Sequence, residues 1–134
     1  MHSGGAVAVQ PFSAAIYGFS GNALTQEEKQ FFAEQNPYGF ILFARNCESP
    51  KQIKDLVASL HAVTKRDALP ILIDQEGGRV ARLKPPHWPA YPPAKVFADI
   101  ACADMERAKQ AVYLNARLIA ADLSELGITV DCAP

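Results

Sequence analysis

The sequence predicts an α/β fold with a parallel sheet. Short apolar runs alternate with amphipathic helical stretches in the order β-α-β-α-β-loop-α-β, and the runs around Phe40 and Ile71 are apolar throughout rather than at every second residue. Capping residues separate the two kinds of segment. Such a series implies right-handed crossovers between parallel neighbours.

After an extended or disordered N-terminus over residues 1–13, Ala14–Phe19 is a short apolar run closed by Ser20-Gly21 and reads as the first strand. Thr25-Gln26-Glu27-Glu28 is a capping box that opens a helix carrying Phe31 and Phe32. That helix stops at Asn36-Pro37, because proline disfavours helical backbone in the residue before it. Phe40–Phe43 is the second strand, an apolar run suited to burial on both faces. Ser49-Pro50-Lys51-Gln52 opens the next helix, with serine at the cap, proline first and glutamine in the box. Ile53, Leu56, Val57, Leu60 and Val63 follow at helical spacing, and Pro70–Ile73 is the third strand.

The rhythm then breaks. Residues 75–103 read as one long βα loop, holding Pro85, Pro86, Pro89, Pro92 and Pro93, and long irregular segments in compact domains are usually functional or mobile. A helix over about Asp104–Leu126 follows, with Ala108, Val112, Leu118, Ile119 and Leu123 on or near one face and Gly127 as its stop. Ile128–Val130 begins a fourth strand.

Composition narrows the function classes. Lys and Arg number 13 against 14 Asp and Glu, which excludes the basic footprint of a nucleic-acid binder. With 49% hydrophobic and 20% charged residues the chain is a globular one. No apolar run approaches the roughly 20 residues of a membrane helix, and the N-terminus lacks the pattern of a signal peptide. Cys47, Cys102 and Cys132 form no CxxC or CxxH spacing and read as free buried thiols of a cytoplasmic protein, with no metal site.

Two architectures fit: a small doubly wound sheet, or the N-terminal part of a (β/α)8 (TIM) barrel, whose usual length is about 250 residues. The chain ends on a strand rather than a helix, which favours an incomplete barrel spanning residues 14–134, with three βα units and a fourth strand.

In both architectures ligands meet the carboxyl ends of the strands. Asp74-Gln75-Glu76-Gly77-Gly78-Arg79-Val80-Ala81-Arg82 is the richest such end. Its glycines permit close backbone approach, and its arginines offer fixed donor forks. An Asp–Arg pair that merely pins a loop explains the same residues equally well. Asp74 and Glu76 lie about 6.6 Å apart along a strand, within the range of a glycosidase carboxyl pair. Side by side on one strand end, however, they do not flank a bond. Gly77-Gly78 lacks the phosphate-loop spacings. Arg45-Asn46 reads as bonding a strand end, His61 as a surface residue and Trp88 as packing its loop down.

Phe40-Ile-Leu-Phe-Ala-Arg-Asn46, followed by Asp74-Gln-Glu-Gly-Gly-Arg-Val-Ala-Arg82, resembles the N-terminal part of bacterial family 3 glycoside hydrolases of the β-N-acetylglucosaminidase (β-hexosaminidase) type. The similarity runs from about Ala14 to Pro134. It implies a (β/α)8 barrel and removal of terminal N-acetylglucosamine from muropeptide fragments in peptidoglycan recycling, with retention through a covalent glycosyl-enzyme and no cofactor. It implies that Asp74 and Arg82 bind sugar hydroxyls while Glu76 and Arg79 support the loop. The nucleophilic aspartate and the acid/base histidine of the family lie beyond the strands present here, so no catalytic residue is expected in this chain. The expectation is an inactive fragment that self-associates or joins a C-terminal half. A non-catalytic amino-sugar-binding module is the alternative.

Overall fold

The computed structural model describes residues 11–133. Most of the extended segment expected over residues 1–13, and Pro134, lie outside the described residues.

Strand β1 (Ser13–Tyr17) leads to helix α1 (Gln26–Gln35). Thr25 accepts from the Glu28 N–H, while the Glu28 carboxylate accepts from the N–H of Thr25 and from the N–H and hydroxyl of Ser20. Burial opposes the charge of Glu28, but these hydrogen bonds prevail and hold its carboxyl below the ordinary value. Asn36 ends the helix in the left-handed region at φ 42°, a conformation asparagine tolerates, and Pro37 then starts β2 (Pro37–Leu42). This strand begins three residues before the expected run. Its entry is fastened by Arg66, which donates to the carbonyls of Pro37 and Tyr38.

Helix α2 (Pro50–Thr64) is capped by Ser49 as expected. The Gln52 side chain does not close a box on the cap; it accepts from the N–H of Glu48 and donates to the carbonyls of Asn22 and Asn46, tying two loops together. Strand β3 (Ile71–Ile73) follows, then an antiparallel hairpin of β4 (Gln75–Gly77) and β5 (Val80–Ala81). Helix α3 (Ala94–Ala103) packs against α4 (Met105–Glu125), and β6 (Val130–Asp131) closes the described chain.

The parallel sheet has the order β1-β2-β3-β6. Sequential order without a switch point is that of the first part of a (β/α)8 barrel, and it excludes the doubly wound alternative, whose strand order reverses. One face of the sheet is dry. Phe40, Leu42, Ile71 and Ile73 are fully buried under Phe32 of α1, Ile53, Leu56 and Leu60 of α2, and Ile119 and Leu123 of α4. Each such side chain contributes about 2 kcal/mol of transfer free energy. The opposite face is not dry, contrary to burial on both sides. Parallel register aligns Ile41, Leu72 and Val130 in one row, with the first two half-buried and Val130 exposed.

Three further expectations are corrected. The segment 75–103 is not one irregular loop, since it contains the hairpin and α3. The two hairpin strands are too short to show a period, and α3 follows Pro93, which provides no side-chain cap. On α4, Ala108, Ile119 and Leu123 are buried, but Val112 and Leu118 are exposed. Leu118 lies about 100° round the helix from Ile119, and Val112 faces an open cavity. Among the thiols, Cys102 is exposed rather than buried.

Candidate functional site

The site lies at the carboxyl end of β3, where the chain leaves the sheet at Asp74 and turns through the β4–β5 hairpin. Gly78 has φ +59° at the first central position of the turn, where a two-residue hairpin of type II′ requires glycine. Gly77, at φ +91°, also lies against the Pro92 carbonyl, and the Gly78 N–H donates to the Tyr91 carbonyl at 2.9 Å. The glycines therefore serve a turn that is strapped down by Tyr91-Pro92-Pro93. Tyr91 is itself held to α4 by its hydroxyl, which donates to Asp122 at 2.7 Å.

The hairpin returns Arg82 to Asp74. A guanidinium nitrogen of Arg82 donates to Oδ2 of Asp74 at 2.6 Å, and about a quarter of each side chain remains exposed, at 26% and 24%. The Arg82 Nε–H is buried and has no hydrogen-bond partner among the described residues. The pair thus keeps accessible edges and one unsatisfied donor. Glu76 and Arg79 do not pair with Asp74 or Arg82: they line a cavity of about 670 Å³ between the hairpin, α3, α4 and the outer edge of β6, which Asp74 and Arg82 do not reach. Neither makes a side-chain hydrogen bond within the described residues, so the support expected of them is not given through their side chains.

Support comes instead from residues the sequence did not single out. Gln75 is only 1% exposed. Its Oε1 accepts from the N–H groups of Arg82 and Leu83 at 2.8 and 3.0 Å, and its Nε2 donates to the Leu83 carbonyl at 3.1 Å. Asp131, on β6, accepts from the Gln75 N–H at 2.9 Å. Burial pushes the Asp131 carboxyl up; the Gln75 hydrogen bond opposes this, and the charges of Asp74 and Glu76 add to it. Burial also raises the Cys132 thiol, with Asp74 and Asp131 adding to the effect. Cys47 is pushed up to about 12 by burial against the opposing charge of Arg82.

The β2 end behaves as read. Asn46, fully buried, accepts from the Phe43 N–H and donates to the carbonyls of Phe19 and Gly21, while Arg45 Nε donates to the Phe19 carbonyl at 2.9 Å. These two residues bind the ends of β1 and β2 together. Trp88 is buried and packs its loop down. Nδ1 of His61 lies 2.7 Å from the Arg66 carbonyl at the end of α2. Among the described residues no group of three or more His, Cys, Asp or Glu is arranged to hold a metal ion, and no helix is long and apolar enough to cross a membrane.

Known proteins share this fold. A curated beta-hexosaminidase of Methylobacillus flagellatus is 39% identical over 114 residues, covering 85% of this chain and 32% of that protein. A beta-hexosaminidase of Alkalilimnicola ehrlichii is 33% identical over 119 residues, covering 89% and 34%. The chain thus spans about a third of the length of the curated relatives it matches. NagZ from Neisseria gonorrhoeae, solved with N-trifluoroacetyl-D-glucosamine, superposes with a TM-score of 0.85 at 32% identity, covering 92% of this chain and 37% of that one. A family 3 beta-N-acetylglucosaminidase from Paenibacillus gives 0.75 at 31% identity, covering 89% and 22%. Residues 7–134 match the N terminal domain of glycosyl hydrolase family 3, and the chain belongs to that family.

Proposed function

We propose that this chain is the sugar-positioning part of a retaining β-N-acetylglucosaminidase that removes terminal N-acetylglucosamine from peptidoglycan fragments in the cytoplasm. The Asp74–Arg82 pair carries the reading: it sits at a carboxyl strand end, where this architecture binds ligands, and about a quarter of each side chain stays open to solvent, at 26% and 24%. An aspartate accepts from two hydroxyls and a guanidinium donates to them, so the pair suits adjacent hydroxyls of a sugar. A relative solved with an amino-sugar derivative supports the substrate class. Holding the sugar contributes orientation and transition-state binding without itself making or breaking a bond. The nucleophile and the acid/base pair belong to later strands in this reading, and the 134 residues alone do not hydrolyse. Their partner is a continuing C-terminal part or a second copy.

Calorimetry of the chain with N-acetylglucosamine tests the binding half. Heat that disappears in Asp74→Asn supports it, and no heat at millimolar sugar overturns it. A chromogenic N-acetylglucosaminide tests the catalytic half on the product of the whole reading frame. Turnover that requires Asp74 is expected there. Binding without turnover in that product marks a non-catalytic amino-sugar-binding module instead.

A further inference from the structure

We propose that Gln75 is a positioning residue for the sugar-binding pair, a role that rests on the reading of Asp74 and Arg82 given above. Asp74 is its covalent neighbour, but Arg82 is reached only through the hairpin. That hairpin has two rungs, Gln75↔Ala81 and Gly77↔Val80, with an irregularity between them, and Arg82 lies one residue beyond the last. A two-rung ladder is a weak lever for aiming a long side chain. The Gln75 carboxamide supplies the missing restraint: its oxygen takes the N–H of Arg82 and of Leu83, and its nitrogen takes the Leu83 carbonyl. The base of this clamp is fixed in turn, because the Gln75 N–H is held by Asp131 on β6, which pairs with β3. Both halves of the pair are therefore referred to one buried residue.

Filling the core does not explain a glutamine at this point. Methionine fills a similar volume without the cost of burying an amide. What methionine cannot do is satisfy the three main-chain groups of Arg82 and Leu83 just where the chain leaves the ladder. Among the described residues no other side chain holds the Arg82 main chain, so the direction in which its guanidinium departs is set by Gln75.

The test uses 15N-labelled chain, the Arg82 Nε–H resonance as a probe of the ion pair, thermal melting as a probe of fold, and N-acetylglucosamine as ligand. Gln75→Met is expected to stay folded, to shift or broaden the Arg82 resonance, and to weaken sugar binding about tenfold, as losing a supporting group behind a binding residue does elsewhere. Gln75→Glu keeps the acceptor for both N–H groups but loses the donor to the Leu83 carbonyl, and is expected to restore part of the affinity. If Gln75→Met leaves the Arg82 resonance and the affinity as in the wild type, the proposal is overturned. If that variant fails to fold, Asp131→Ala, which removes the anchor of the clamp, decides: an unmoved Arg82 resonance overturns the proposal and a shifted one supports it. Absence of sugar binding by the wild type sinks the carbohydrate reading, while the Arg82 resonance still decides the role of Gln75.

Discussion

The main-chain N–H of Gln75 donates to Oδ1 of Asp131 at 2.9 Å, joining the foot of the hairpin to the end of β6 across 56 residues of sequence. Asp131 is partly buried among the charges of Asp74 and Glu76, and its carboxyl titrates above the ordinary value. The sign follows from linkage. A raised native value means that the folded state holds the proton more tightly, so this contribution is fully present below about pH 3.9 and is lost as pH rises through the raised native value. Asp131→Asn keeps an acceptor for Gln75 and removes the charge. Its melting temperature is expected to match wild type near pH 3 and to equal or exceed it at pH 7. A deficit that grows from pH 3 to pH 7 contradicts the assignment.

Gly77 tolerates no side chain. Its φ of +91° is strained for any L-residue, and an added Cβ runs into the Pro92 carbonyl oxygen. Gly77→Ala is expected to lose about 2 kcal/mol in urea unfolding. Gly21→Ala is the control, since the space around Gly21 holds an ordinary van der Waals contact at 3.7 Å and its φ is not positive. Equal stabilities for the two variants contradict a strapped hairpin.

The three thiols differ in reach and in charge. Cys102 is exposed on α3, whereas Cys47 is pushed up to about 12. At pH 8 such a thiol is about one part in ten thousand thiolate, and the thiolate is the nucleophile. Timed iodoacetamide labelling read by mass spectrometry is expected to modify Cys102 first and to leave Cys47 unmodified in the native chain. Labelling of Cys47 as fast as Cys102 contradicts its burial. In urea the two rates are expected to converge.

The sequence displayed whatever depends on neighbours a few residues apart. The Thr25 box, the Ser49-Pro50 start and the Gly127 stop each need only a local side chain and a local main chain, and each is present. The parallel strands were equally open to reading, because their apolar runs reflect one environment along the strand. What escaped depends on where distant chain arrives. A glutamine inside a motif rich in charge and glycine looks like filler until Leu83 folds back onto it. The direction of Asp131 is set by Gln75, 56 positions earlier. Helix α3 lacks the usual cap signal because its N-cap is Pro93, which has no side-chain acceptor and lies against Gly78 of the hairpin. Burial on both sheet faces was misread for a related reason: an apolar row fixes what a face needs, not what covers it.

That uncovered face leads to the last prediction. Ile16, Ile41, Leu72 and Val130 lie along the side of the sheet away from the helices, and Ile16 and Val130 are 45% and 40% exposed. The same two residues sit on β1 and β6, the two strands that have a single neighbour in the sheet among the described residues. An open strand edge beside an apolar face is a template for pairing with another chain. The 134-residue chain is therefore expected to elute and scatter light as a dimer or larger species. Ile16→Lys with Val130→Lys places a charge on each edge and is expected to shift the population toward monomer while the melting temperature stays within a few degrees. A monodisperse wild-type monomer at high concentration would show that the edges are protected, and the pairing argument would then fail on the strands themselves rather than on the site they carry.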